Sequence, residues 1–205
     1  MSFGLLKLGA VIFGTAMVMV YMMVFPLKDK SSDGKFNKHD IYKAGICEGI
    51  LNLLLVSVYS SAIEVVVITL LCSSLVFLSY TDIKTGEVYA APIVAGIAIL
   101  TFLVPAVTGK SVSFWVVPIM GVLVIAALAN SLGWGDVLIY LMLGIGFTAI
   151  KDLPVTGLIL NILVSMALSI PLGLVALAKN HWKKIHKPFT VYIAIAFVIG
   201  GILKV

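Results

Sequence analysis

Long apolar stretches separated by short polar segments run through the whole sequence. Each holds close to the roughly 20 apolar residues that a membrane-spanning helix needs, so the pattern predicts eight spans. The expected spans are residues 4–25, 44–60, 62–80, 88–108, 111–130, 132–150, 153–178 and 188–204. Only Ser60 and Ser61 separate the second span from the third, which predicts a tight helical hairpin. We therefore expect an all-α, polytopic membrane protein.

The composition supports this fold class. Hydrophobic residues make up 61% and charged residues 11% of the 205 residues, whereas an ordinary soluble domain has about 25% charged residues. Eight spans with short connections use nearly all of the chain. We therefore expect residues 1–205 to form a single integral-membrane domain, in which residues 26–43 are a short basic loop on the cytoplasmic side.

The distribution of lysines predicts the orientation in the membrane. All 14 basic residues are lysines, and ten of them lie in loops that follow odd-numbered spans, against four on the other side. Since positive charge favours the cytoplasmic side, we expect these loops in the cytoplasm and both chain ends outside a cell membrane. Lysines spread over short loops do not form the concentrated basic patch of a nucleic-acid-binding protein, so we expect no nucleic-acid partner.

The cysteine content argues against a disulfide framework and against a structural zinc site. Cys47 and Cys72 are the only cysteines, and both lie within apolar stretches. A zinc site of the usual kind needs four ligands, and a disulfide framework needs more cysteines than two buried thiols. We therefore expect no bound metal.

Two acidic residues stand at the ends of predicted spans. Asp82 follows span three, and Asp136 opens span six in the stretch Gly133-Trp134-Gly135-Asp136. A carboxylate at the mouth of a membrane helix is costly, which makes it a candidate functional residue. The predicted topology places both acids on the cytoplasmic side, so we expect them at one level of the membrane.

Two carboxylates at one level can hydrolyse a peptide bond if they come close together. One carboxylate must be ionised to take a proton from water, and the other must be protonated to polarise the carbonyl group. Gly133 and Gly135 lack side chains, which allows an extended substrate or a neighbouring helix to approach the acid. The alternatives are an interfacial loop acid for Asp82 and a helix-capping role for Asp136.

Four stretches of the sequence resemble, in the same order, the motifs of a known family, the type IV prepilin peptidases and archaeal preflagellin peptidases. These stretches are Tyr42 to Glu48, Thr81-Asp82-Ile83, Gly133-Trp134-Gly135-Asp136 and Lys187-Pro188-Phe189. The family consists of aspartyl membrane proteases with a Gly-x-Gly-Asp motif. The resemblance implies that Asp82 and Asp136 are catalytic. It also implies a set of supporting residues: Glu48, Gly133, Trp134, Gly135, Pro188 and Phe189.

The resemblance implies an endopeptidase that removes the short basic leader of prepilin-like precursors of type IV pili and protein secretion. The expected partners are these precursors and the lipid bilayer. The sequence departs from the family pattern at Leu138, where the family often has lysine, and at Tyr89, where it usually has proline. Larger members methylate the product with S-adenosylmethionine and carry a tetracysteine module in the segment where this chain has the short loop 26–43. We therefore expect no cofactor, unless methyl transfer is retained.

The sequence leaves several alternatives open. Glu48 either holds an amine of the substrate or pairs internally with Lys43, and Trp134 is a candidate wall of the site. A small transporter in which the membrane acids relay protons or ions is a different class of function. A protease of the same Gly-x-Gly-Asp class that cuts within a membrane helix is a third.

Overall fold

A computed structural model describes residues 3–25, 36–86, 88–109, 111, 114–129, 131–150, 154–178 and 188–204. Within these residues the chain forms eight α-helices and no β-strand, which confirms the all-α prediction. The helices are α1 (Phe3–Val24), α2 (Lys38–Val58), α3 (Ala62–Thr85), α4 (Ala90–Thr108), α5 (Val116–Leu128), α6 (Trp134–Ile150), α7 (Pro154–Ala178) and α8 (Phe189–Leu203).

Half of the described helices have the dimensions of a membrane span. α1, α2, α3 and α4 are long and apolar enough to cross a bilayer. The other apolar helical segments are shorter: 116–128, 134–150, 155–171 and 189–203. The 17 residues of α6 extend over about 25 Å, against about 30 Å of hydrocarbon. The structure is therefore compatible with a membrane protein, and the number of eight spans stays a prediction.

The centre of the bundle is α3. This helix packs against α1, α2, α4, α6 and α8, and it is the most buried of the four helices with spanning dimensions. Helices in a membrane pack closely where small residues face a neighbour. Such a contact joins α3 and α6, because a Cβ atom at Gly146 would lie 2.7 Å from a methyl group of Leu71. The last turn of α3 and the first turn of α6 are thereby held in one part of the bundle.

The apolar stretches locate the helices, but two helices extend beyond them. The predicted hairpin is confirmed, since α2 ends at Val58 and α3 begins at Ala62. The segment 26–43, however, is not a loop throughout, because α2 begins at Lys38. The Asn37 side chain accepts a hydrogen bond of 2.7 Å from the Asp40 N–H, and this N-cap stabilises a polar first turn.

The last turn of α3 is polar as well. α3 continues to Thr85, so Asp82 lies inside the helix rather than after it. Gly86 ends the helix in a left-handed conformation with φ of 72°, which glycine adopts without steric strain. The side chain of Asp82 is therefore fixed on a regular helix.

Candidate functional site

The two aspartates singled out in the sequence line one pocket. Its volume is about 280 Å³. Asp82 comes from the last turn of α3, and Asp136 comes from the first turn of α6. Their exposed fractions are only 4% and 9%, and Asp136 lies within range of the charge of Asp82. The structure thus brings together two acids that the sequence predicts only to share a membrane level.

The backbone of Gly133 fixes the position of the Asp136 side chain. The carboxylate of Asp136 accepts a hydrogen bond from the backbone N–H of Gly133, and the Asp136 N–H donates to the Gly133 carbonyl over 3.1 Å. The first of these bonds is one half of a capping box, with the acid at the third helical position. The other half is missing, because glycine before the helix has no side chain to bind the Asp136 N–H. Asp136 therefore supports the start of α6 from the third helical position and not from the N-cap position that its alternative interpretation expects, and it also lines the pocket.

The two glycines of the motif allow close contacts of different kinds. A Cβ atom at Gly133 would lie 3.0 Å from Oδ2 of Asp136, so the glycine gives the carboxylate room to fold back. A Cβ atom at Gly135 would lie 2.9 Å from the Cβ of Val88. Gly135 thus accommodates the segment that leads into α4. The absence of a side chain at this glycine was expected to let a substrate or a neighbouring helix approach. At Gly135 the group that comes close is Val88 of the protein itself.

A third polar residue, Thr190, joins the two aspartates, and the sequence analysis does not identify it. The backbone N–H of Thr190 donates a hydrogen bond of 3.1 Å to Oδ2 of Asp82. Its hydroxyl lies beside the Asp136 carboxylate but without the geometry of a full hydrogen bond. Thr190 is 0% exposed. It therefore contacts both acids from the start of α8.

The position of Thr190 follows from how α8 begins. Pro188 occupies the N-cap of this helix, and Phe189 is its first residue. The first N–H groups of a helix have no partner within the helix and carry a partial positive charge. α8 directs one of these groups at Asp82. A sequence signal was present, because a small polar residue directly follows the Pro-Phe pair, but sequence alone does not show which acid it meets.

The structure divides the predicted supporting residues into two groups. Gly133, Gly135 and Phe189 line the aspartate pocket, and Pro188 occupies the N-cap position of the helix that brings Phe189 there. Trp134 is 55% exposed and does not belong to the described lining, so it does not form the wall that its position suggests. Lys187 of the Pro-Phe motif and residues 26–35 of the basic loop lie outside the described residues.

Glu48 lies in a different part of the bundle. It is 0% exposed, and its carboxylate accepts hydrogen bonds of 3.0 Å from the hydroxyls of Thr15 and Ser73. The side chain of Asn52 lies beside it. Gly14 leaves space for this cluster, since a Cβ atom there would overlap the Glu48 carboxylate. Glu48 therefore joins α1, α2 and α3, and among the described residues it pairs with no lysine.

A polar contact near Asp82 joins the start of α2 to the end of α3. The hydroxyl of Tyr80 donates to Asp40, and Nζ of Lys84 lies 3.4 Å from the Asp40 carboxylate. Tyr80 and Lys84 stand two residues before and two residues after Asp82. We call these three residues the α2–α3 clamp. The clamp holds the turn of α3 that carries Asp82 against α2.

The described residues contain no group of three or more histidine, cysteine, aspartate or glutamate side chains arranged to hold a metal ion. The titratable side chains in the described lining of the pocket are the two carboxylates of Asp82 and Asp136. No family model matches the chain, and neither a curated protein nor a solved structure matches it.

Proposed function

We propose that this protein is a membrane aspartyl endopeptidase that removes a short basic leader from type IV prepilin-like precursors. One observation carries the proposal: Asp82 and Asp136, which are far apart in sequence, line a single pocket at the ends of two packed helices. A pair of buried carboxylates is the arrangement with which aspartyl proteases activate water. The motif resemblance supplies the substrate class.

The proposed reaction divides the proton transfers between the two acids. The ionised carboxylate takes a proton from a water molecule, and the resulting hydroxide attacks the carbonyl carbon of the peptide bond. The protonated carboxyl group donates to the carbonyl oxygen. Breakdown of the tetrahedral intermediate then delivers a proton to the leaving amine. The N–H of Thr190 holds Oδ2 of Asp82 in place beside the reacting groups.

The walls of the pocket fit the proposed cleavage site. Val88 and Phe189 line it beside the two acids. In the proposed precursor, the scissile bond lies between a basic leader and an apolar helix. The pocket likewise combines acidic and apolar residues. The basic residues of the precursor would lie near the acids, and the first apolar residues would contact Val88 and Phe189.

The proposal includes a membrane topology. The chain would cross the membrane eight times, with both ends outside and the aspartate pocket toward the cytoplasm. The lysine distribution supports this orientation because positively charged loops stay on the cytoplasmic side. The loops after odd-numbered helices would then share the side on which α3 ends and α6 begins.

Co-expression with a prepilin-like precursor tests the proposal. Cleavage would appear as a gel shift for the wild type, whereas Asp82→Asn and Asp136→Asn would each slow cleavage by at least about 100-fold, since asparagine cannot exchange the proton. Glu64→Gln is a matched control, because Glu64 lies in the first turn of the same helix whose last turn carries Asp82. Unchanged cleavage by either aspartate variant, at normal membrane levels, would overturn the proposed pair.

The position of Glu48 favours a second candidate function, a proton- or ion-coupled transporter. Ser73 binds Glu48 and precedes Asp82 by nine residues on α3, which corresponds to about 13 Å along the helix. Acids at two depths are what a relay across the membrane needs. Purified protein in vesicles that contain a pH-sensitive dye separates the two functions. If the protein is a transporter, the wild type would change the internal pH and the Glu48→Gln variant would not. A peptidase would leave the internal pH unchanged.

A further inference from the structure

A second and larger pocket lies between α2, α3 and α8. It is an open groove of about 500 Å³ that shares no described lining residue with the aspartate pocket. Cys47 and Leu51 of α2, Val76 of α3, and Val191 and Val198 of α8 form part of its largely apolar wall. Lys43, Cys47 and Leu51 follow one another at intervals of four residues, so the groove runs along α2 for about 12 Å.

One end of the groove carries positive charge. Lys43 and Tyr80 of the α2–α3 clamp both line that end, and because almost none of the wall is polar, they line it mainly with their carbon atoms. Asp40 forms a salt bridge with Lys84 and also lies within range of the charge of Lys43, so two lysines share one carboxylate and a net positive charge remains. The first turn of α2 adds Lys38 and the partial positive charge of a helix start. An occupant of the groove must therefore be apolar along most of its length and anionic at the end near Lys43.

Three occupants come into question: a substrate helix, a second copy of the chain and a phospholipid. The positive charge at one end of the groove disfavours the first two. A substrate helix preceded by a basic leader would bring positive charge to the end that holds Lys43. A second copy of the chain, seated on the same groove by twofold symmetry, would place Lys43 close to its own counterpart. Like charges at short range disfavour both arrangements. A phospholipid with an anionic headgroup has both the apolar chain and the charge that the groove requires.

We propose that this groove, the lipid groove, binds one anionic phospholipid, with an acyl chain along α2, α3 and α8 and the phosphate at Lys43. The bound lipid stabilises the spacing between α3 and α8. The hydroxyl of Ser79, which lines the groove, donates to the carbonyl of Thr190 over 3.3 Å. The N–H of Thr190 in turn holds Asp82. The lipid groove and the aspartate pocket thus lie on neighbouring faces of the same two helices.

Native mass spectrometry of the purified full chain tests the proposal. The detergent-solubilised protein is titrated with phosphatidylglycerol or with phosphatidylcholine that has the same acyl chains. We expect phosphatidylglycerol to bind at least about fivefold more tightly, which corresponds to the contribution of one lysine near an anionic headgroup. Lys43→Gln should remove this preference. Lys204→Gln should retain it, because Lys204 is exposed and lies at the other end of α8.

A second variant fills the groove instead of changing its charge. Ala194 of α8 lines the groove, so Ala194→Phe should weaken the binding of both lipids while the helical circular dichroism spectrum is unchanged. Equal binding of the two lipids, undiminished binding to Lys43→Gln or Ala194→Phe, or an equal loss with Lys204→Gln would overturn the proposal. A wild-type dimer that Ala194→Phe converts to a monomer would instead assign the groove to a second copy of the chain. None of these outcomes depends on peptidase activity, so the lipid proposal and the proposed function fail separately.

Discussion

Asp136 combines a structural role with its place in the proposed active site. Its carboxylate accepts a hydrogen bond from the N–H of Gly133 and lies within range of the charge of Asp82. A loss of activity in a variant at this position can therefore arise from an unfolded helix start or from the missing acid. Asparagine and alanine distinguish the two causes, since asparagine keeps an oxygen that can accept the capping hydrogen bond and alanine has none.

We predict that Asp136→Asn and Asp136→Ala are equally inactive but differ in stability. Loss of an intramolecular hydrogen bond costs about 0.5–1.5 kcal/mol, so the alanine variant should unfold at a lower temperature than the asparagine variant. Thermal unfolding of the two purified variants, followed by tryptophan fluorescence, measures the difference. Equal stability of the two variants would show that the bond to Gly133 contributes little to folding.

Thr190 provides a prediction in which activity and stability change in different directions. Its buried hydroxyl lies beside Asp136 without a full hydrogen bond, so Thr190→Val should leave stability unchanged or slightly raised. The backbone N–H that binds Asp82 is retained. We expect the rate constant kcat to fall about tenfold with little change in KM, as for a group that acts mainly in the transition state.

Thr148→Val is the matched control for this prediction. The hydroxyl of Thr148 is also buried, but it bonds to the carbonyl of Gly144 within its own helix, toward the far end of α6. Its removal should leave kcat unchanged. If Thr148→Val reduced kcat as much as Thr190→Val, the effect would belong to buried threonines in general and not to the site.

At the level of helices, the sequence predicts positions better than ends or contacts. Apolar runs place all eight helices because hydrophobicity alone marks segments that avoid water. They miss the polar turns at the start of α2 and the end of α3, which are stabilised by the Asn37 cap and by the α2–α3 clamp. Both stabilising contacts use side chains that a hydropathy pattern treats as loop residues.

The first turn of α6 packs against the segment before α4 at Gly135, and this contact can be tested. A methyl group there would press on Val88, so Gly135→Ala should reduce cleavage activity and lower the unfolding temperature. Gly121→Ala in α5 is the control, because nothing lies within 4 Å of a Cβ atom at Gly121. Val88→Gly combined with Gly135→Ala should restore part of the lost activity. Full activity of Gly135→Ala alone would contradict the importance of this packing.

At the scale of the whole molecule, the sequence places the two acids on one side of the bundle but does not predict that they meet. Spans four and five lie between the end of span three and the start of span six. Two crossings of the membrane return the chain to the side from which it started. Whether the acids share a pocket depends on which helices pack together. α3 contacts five other helices, and no sequence period selects α6 among them. The burial of Glu48 between three helices was unpredictable for the same reason.

We propose that Asp82 and Asp136 act as one catalytic unit. The most direct test is the single-turnover rate of cleavage of a prepilin-like peptide by the reconstituted wild type, Asp82→Asn, Asp136→Asn and the double variant, with product masses read by mass spectrometry. We predict hydrolysis at one peptide bond, a loss of at least about 100-fold in each single variant, and a double variant no slower than either single one, as for residues that act as a unit. A single variant that keeps more than about a tenth of the rate, or additive losses in the double variant, would contradict the account.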